Sequence, residues 1–278
     1  MADNIAGKSI VITGAGSGFG RLVAQASGAR GAKVTCADVN RDAIEQTAAE
    51  IHERGGHAIA VTADVTDIGA MRDLAARAVT AHGAIDVMIN NAGIMPLAFF
   101  ADHDAAFAAW DRCIDINFKG VLNGIVAVYD QMMAQGRGHV INLSSIYGTH
   151  PVIGAAVYGA TKSAVNFLSE SLRVEARGRI KVTVIKPTGV PVTGLSATVI
   201  NREAGIGSLG QNMADFTDMV TGVQAGTFPP DRLEADNIDY ALLDPQHIAD
   251  AIMHAIDQPW GVSISDITVR AAGDYFIL

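Results

Sequence analysis

The stretch KSIVITGAGSGFG, Lys8 to Gly20, decides the fold. Lys8 to Thr13 is a short β-branched run and reads as a strand. It leads at once into Gly14-Ala15-Gly16-Ser17-Gly18-Phe19-Gly20, and Arg21 to Arg30 then reads as a helix. Glycines let the backbone turn sharply and let an anion approach the helix start, where free N–H groups and the dipole favour negative charge. The spacing is not the literal G-x-G-x-x-G but T-G-x-x-x-G-x-G, Thr13 through Gly20. Taken alone, such a turn is a weak signal, because a tight strand-to-helix turn needs glycine too. Its surroundings decide.

Outward from it, strands and helices alternate. Strand candidates are Ala32 to Ala37, His57 to Thr62, Ile85 to Asn90, His139 to Leu143, Lys181 to Ile185 and Ile264 to Val269. Helices are predicted over Arg41 to Arg54, closed by Gly55-Gly56, and Asp67 to His82, capped by Asp67 and stopped by Gly83. Asp104 to Gln135 reads as two helices or one bent one, broken near Asn117 and Gly120. Ala155 to Arg177 and Pro245 to Asp257 complete the set. This order predicts an α/β fold in a single domain, 1–278, with a doubly wound parallel sheet of about seven strands. Thr188 to Leu243 breaks the rhythm and is too long for an ordinary connection, so a lid over the site is expected at about 188–243. The apolar ending Tyr275-Phe276-Ile277-Leu278 should dock, with a neighbouring subunit as one candidate surface.

Composition narrows the function. Hydrophobic residues make up 49% of the 278, enough for a sizeable core. A net charge of −9 argues against nucleic-acid or anionic-membrane partners. Cys36 and Cys113 lack ligand spacing and read as buried thiols in a reducing compartment. No His/Cys/Asp cluster calls for a metal. With no export signal and no apolar run long enough to span a bilayer, a cytoplasmic protein is expected.

Two constellations carry chemistry. Asp38 ends the second strand 18 residues beyond Gly20, where a carboxylate accepts from ribose hydroxyls and repels a 2′-phosphate. That favours NAD, with Arg41 close enough to leave NADP as the alternative. In SSIYGTHPVIGAAVYGATK, Ser144 to Lys162, Tyr158 and Lys162 stand at i and i+4 on one helix face. An ammonium beside a phenol favours phenolate, the help a Tyr needs to act as acid or base near neutral pH. Ser145, from the preceding loop, could steady an oxygen on which charge develops. A surface Tyr/Lys pair is the plainer reading of that spacing on its own.

Together these motifs resemble the short-chain dehydrogenase/reductase family, over Gly7 to about Pro187 and more loosely from Pro245. The resemblance implies a Rossmann-type fold and maps the nucleotide loop onto Thr13, Gly14, Gly18 and Gly20, with Ser17 and Phe19 inside it. Asp64 and Val65 fall on the adenine side. The N-N-A-G motif stands as Asn90, Asn91, Ala92 and Gly93, beside the cofactor ribose, and Pro187, Thr188 and Val190 follow the sixth strand. The catalytic tetrad maps onto Asn117, Ser145, Tyr158 and Lys162. In that family Tyr158 would give or take the proton of the alcohol or ketone oxygen and Ser145 would hydrogen-bond it. Lys162 would bind the nicotinamide ribose and, with the oxidised ring, lower the Tyr158 pKa. Asn117 would distort its helix and hold a water leading from Lys162 to solvent. Homotetramers or homodimers joined through Asp104–Gln135 and Ala155–Arg177 are implied as well.

Two departures stand out: Pro187-Thr188 replaces the usual Pro-Gly, with the downstream Thr one place late at Thr193, and the C-terminus lacks the frequent Asp-Gly-Gly after the last strand. The activity expected is hydride transfer between NAD(H) and a secondary alcohol or ketone, largely apolar. The alternatives are an NADPH-dependent carbonyl reductase, an epimerase or dehydratase among the extended relatives, and a non-catalytic dinucleotide-binding scaffold. Met95, Tyr147 and Val152 are candidates for the substrate pocket, His150 a weaker one. Met213, Phe216, Met219 and Val220 form an apolar stripe on the lid.

Overall fold

The structure is a computed structural model that describes residues 3–190 and 194–277. Seven strands form one sheet: β1 (Ser9–Thr13), β2 (Lys33–Asp38), β3 (His57–Thr62), β4 (Val87–Asn90), β5 (Gly138–Leu143), β6 (Ile180–Pro187) and β7 (Asp266–Val269). Their order is β3-β2-β1-β4-β5-β6-β7, and every neighbouring pair is parallel. The central strands β1, β4 and β5 are buried along their whole length, as parallel strands covered on both faces must be.

Helices α1 (Gly18–Ala29), α2 (Arg41–Glu53) and α9 (Pro245–Ile256) cover one face, with Val23, Ile44 and Ile252 on Ile10, Ile12 and Ile89. On the other face lie α3 (Ile68–His82), α5 (Gly120–Gln135) and α6 (Ala156–Glu175), with Leu74, Ile125 and Val165 on Val11, Met88 and Val140. The ends of α3 follow the predicted chemistry. Asp67 Oδ1 accepts from the Gly69 N–H at 2.7 Å, and Gly83 closes the helix at φ 85°.

Several boundaries shift for local reasons. β4 starts at Val87, and the Ile85 N–H donates to Gln135 Oε1 (3.0 Å) rather than to a neighbouring strand. β6 runs on to Pro187 because its pairing with β7 continues to Pro187↔Val269. The break expected near Asn117 is a π-helical turn, Asp115–Lys119, between α4 (His103–Ile114) and α5.

The segment beyond β6 holds short helical pieces, among them α7 (Ile206–Leu209) and α8 (Met213–Ala225), and no strand among its described residues. Its frequent turns explain its weak periodicity. Tyr275–Ile277 docks on its own chain: Phe276 packs on Gly189 and the Ile277 N–H donates to the Ser208 carbonyl at 2.9 Å. Among the described residues, no helix is long and apolar enough to cross a membrane.

Candidate active site

From β1 the chain first builds β2 and β3 on one side, then returns to start β4 on the other. Connections therefore diverge at the C-terminal ends of β1 and β4, which is where an open α/β sheet leaves a crevice. A cleft of about 1320 Å³ occupies that position.

The glycine turn forms the floor of one half. Gly14 and Gly18 have φ of 67° and 51°, which side chains rarely tolerate. Gly20 is needed for a different reason: a Cβ there would lie 2.2 Å from the Gly14 carbonyl oxygen and 2.6 Å from Asn91 Nδ2. Asn91 Nδ2 donates to the carbonyls of Thr13 (2.9 Å) and Gly14 (3.2 Å), while the Asn91 and Ala92 N–H groups donate to Thr13 Oγ1. The N-N-A-G segment thus clamps the glycine turn, a role the sequence does not display. Ser17 precedes α1 in extended conformation and its hydroxyl caps no N–H, so the first-turn donors facing the cleft lack a side-chain partner.

Asp38 lines the same half. Its Oδ2 accepts from the Gly16 N–H (3.3 Å) and its Oδ1 from the Asn40 N–H (3.0 Å), which fixes the carboxylate at the strand end. Arg41 is paired with Glu45 at 2.7 Å, one turn along α2. Asp64, Val65, Gly93, Pro187, Thr188 and Val190 also line the cleft. Asp64 is tied to Thr66, and the Val65 carbonyl accepts from Asn123 Nδ2 at 2.8 Å. The Thr188 hydroxyl donates to Asp274 at 3.4 Å. Thr193 lies outside the described residues.

Ser145, Tyr158, Lys162 and Asn117 are all buried. Ser145 and Tyr158 line the cleft together, and the Ser145 hydroxyl accepts from the Tyr147 N–H at 3.3 Å, at the start of a single 3-10 turn. Lys162 Nζ lies 5.7 Å from the Tyr158 ring centre and donates to the Leu143 carbonyl at 2.8 Å. Asn117 takes the Ile94 N–H on Oδ1 (2.9 Å) and gives Nδ2 to the Ile94 carbonyl (2.8 Å), so its amide pins the loop after β4. Thr161 and Cys113 flank that amide at 3.4 and 3.3 Å. Nothing in the spacing of Thr161 or Cys113 signals this contact in the sequence.

In the free protein burial pushes the Tyr158 phenol above its ordinary value, and the Ser145 hydroxyl only partly opposes this; the lowering expected above belongs to the state with the oxidised dinucleotide bound. Lys162 is itself desolvated, its pKa lowered to about 8, and its ammonium is turned to the Leu143 carbonyl. Burial also pushes the Cys113 thiol up to about 11 and Cys36 to about 12, in keeping with neutral buried thiols.

The second half of the cleft is lined in part by the segment between β6 and α9. Met95 and Tyr147 line it, with Met213, Phe216 and Val220, whereas Met219 points away from it. Val152 does not reach the cleft; it packs against Leu97, Ala155 and Ala204 behind Tyr158. His150 is exposed, with a hydrogen bond between its Nδ1 and Thr149 Oγ1, and is not among the residues that line the cleft. Among the described residues, no three His, Cys, Asp or Glu side chains are grouped to hold a metal ion. A buried pair of hydroxyls with an adjacent amine, facing a glycine cradle, is equipped to exchange a proton with a substrate oxygen.

Comparisons with known proteins agree with this layout. Residues 8–204 match the model of the short chain dehydrogenase family. An uncharacterized oxidoreductase of Listeria monocytogenes is 34% identical over 271 residues, covering 95% of this chain and 96% of its own length. A 7α-hydroxysteroid dehydrogenase complexed with NADH and 7-oxo glycochenodeoxycholic acid superposes with a TM-score of 0.76 at 26% identity, covering 97% of this chain and 94% of its own. A metagenomic short-chain oxidoreductase in complex with NADP gives 0.72 at 26% identity, over 96% and 98%. The chain belongs to the short-chain dehydrogenase family of oxidoreductases.

Proposed function

We propose that this chain transfers a hydride between NAD(H) and a secondary alcohol or ketone with a largely apolar body. The observation that carries the reading is the convergence, in one cleft, of the Ser145–Tyr158 hydroxyl pair, Lys162 and the glycine turn. The residues fit a nicotinamide dinucleotide. The glycine turn and the start of α1 would hold the pyrophosphate, Asp38 the adenosine ribose, and Asp64 and Val65 the adenine. Asn91, Ala92 and Gly93 would lie along the ribose of the nicotinamide with Lys162, and Pro187, Thr188 and Val190 beside the ring. When bound, this group supplies or accepts the hydride and, oxidised, adds a positive charge to the site. Tyr158 passes the proton to or from the substrate oxygen, Ser145 hydrogen-bonds that oxygen, and the lid's apolar residues keep water away. A panel of ketones and secondary alcohols, followed by absorbance of the reduced nicotinamide, tests the reading. If no member turns over with either nucleotide, the scaffold alternative stands instead.

Preference for NAD over NADP rests on Asp38 and on the engagement of Arg41 with Glu45. Asp38→Ala is expected to narrow the NAD/NADP ratio of kcat/KM by about tenfold, since removing one close repulsion is worth roughly 1–2 kcal/mol. A wild type that already prefers NADPH would overturn this assignment. Assembly as a homodimer or homotetramer is supported by bare apolar side chains one heptad apart, Phe107 with Ile114 on α4 and Phe167 with Val174 on α6. Light scattering measures it directly.

A further inference from the structure

The segment after β7 returns to the cleft. Phe276 lines it and packs on Gly189, so close that a Cβ on Gly189 would stand 1.8 Å from the Phe276 ring. Four further contacts hold the segment there. The Ile277 N–H donates to the Ser208 carbonyl (2.9 Å), and Asn212 Nδ2 donates to the Tyr275 carbonyl (3.0 Å). Arg232 Nη1 donates to the Tyr275 hydroxyl (2.9 Å), and Arg270 Nη2 to the Phe276 carbonyl (2.8 Å). Phe276 and Tyr275 make T-shaped contacts with Phe216 of α8 at centroid distances of 5.8 and 6.3 Å. Ser208 is the junction. It is buried, its carbonyl holds Ile277, and its hydroxyl accepts from the Tyr147 hydroxyl at 2.7 Å. The Tyr147 ring in turn stands edge-on to Tyr158 at 5.6 Å.

We propose that Phe276 is a specificity-determining residue: with Phe216 it forms the aromatic wall of the substrate half of the cleft and sets the bulk of the apolar group accepted beside Tyr158. This inference rests on the hydride-transfer reading above. Phe276 is seated by its own chain, between the loop that follows β6 and the lid. Its position depends on Gly189 having no side chain, and that dependence gives a test separate from catalysis.

The experiment is a cycle of Phe276→Ala, Gly189→Ala and the double variant. Thermal unfolding and NADH titration by fluorescence are measured first, then kcat/KM across ketones of increasing bulk. Gly189→Ala alone is expected to lower Tm by several degrees, because its methyl displaces the ring, and to cost about nothing further once Phe276 is Ala. Phe276→Ala is expected to leave NADH affinity within about twofold. It should shift the ratio of kcat/KM, bulky over small ketone, by at least about tenfold toward the bulky one. Additive losses of Tm in the double variant would overturn the placement of Phe276 on Gly189. Parallel losses for every ketone would reduce Phe276 to a structural residue. A wild type inactive on the whole panel, with the Tm coupling present, would remove the hydride-transfer reading and with it the specificity role, leaving only the docked segment.

Discussion

Tyr158→Phe is expected to lower turnover by about 10³-fold, within the range that general acid–base groups contribute. The change removes one oxygen and keeps the ring, so the edge contact with Tyr147 and the packing against Leu97 and Ala155 persist. Ser145 still accepts from the Tyr147 N–H, so its hydroxyl is not left without a partner. Tm and NADH affinity should therefore stay close to wild type, and the loss should fall on kcat. Residual activity above about a tenth of wild type would take the proton transfer away from Tyr158. A pH profile adds a second check with a definite sign. Burial raises the phenol, so near neutral pH the free protein holds Tyr158 protonated, the form that donates to a ketone. Ketone reduction should fall as pH rises, whereas alcohol oxidation, which needs phenolate, should climb. Both slopes should vanish from the residual activity of Tyr158→Phe.

The elevated phenol shows where sequence reasoning stops. The i, i+4 spacing of Tyr158 and Lys162 correctly places both side chains at one site, but it does not say which way the ammonium turns. The Leu143 carbonyl, supplied by a strand 19 residues earlier, decides that. The sheet was legible because each strand is short, β-branched and flanked by turn residues. The glycine turn was legible because Gly14 and Gly18 need left-handed backbone. Contacts between distant segments leave no periodic trace. Asn91 reaches back 78 residues to Thr13, and Asn117 reaches 23 to Ile94. Val152 sits near Ser145 and Tyr158 in sequence yet belongs to a buried apolar cluster and does not line the cleft. Phe276 is furthest from any motif and shares the cleft with Tyr158 only because the chain folds back over the lid.

The second large effect is expected at Gly20, where the argument turns on which atoms would have to move. A methyl at this position meets the Gly14 carbonyl oxygen at 2.2 Å, and that carbonyl is held by Asn91 Nδ2. The obstacle is backbone, tied to β4, and no flexible side chain can yield. Gly20→Ala must then push α1 off the glycine turn or break the Asn91 clamp. Forced overpacking of this kind costs about 3 kcal/mol, which for a chain of this size lowers Tm by roughly 5–10 °C. Either adjustment also moves the α1 N–H groups relative to the turn, so NADH affinity should fall by at least about tenfold, the equivalent of 1.4 kcal/mol. Gly261→Ala is the matched control, because a Cβ there meets nothing within 4 Å; it should change stability by no more than about 0.5 kcal/mol. If Gly20→Ala melts with the control and binds NADH equally well, the close approach of α1 to the glycine turn is wrong. If stability falls while affinity holds, the turn supports the fold but does not seat the dinucleotide.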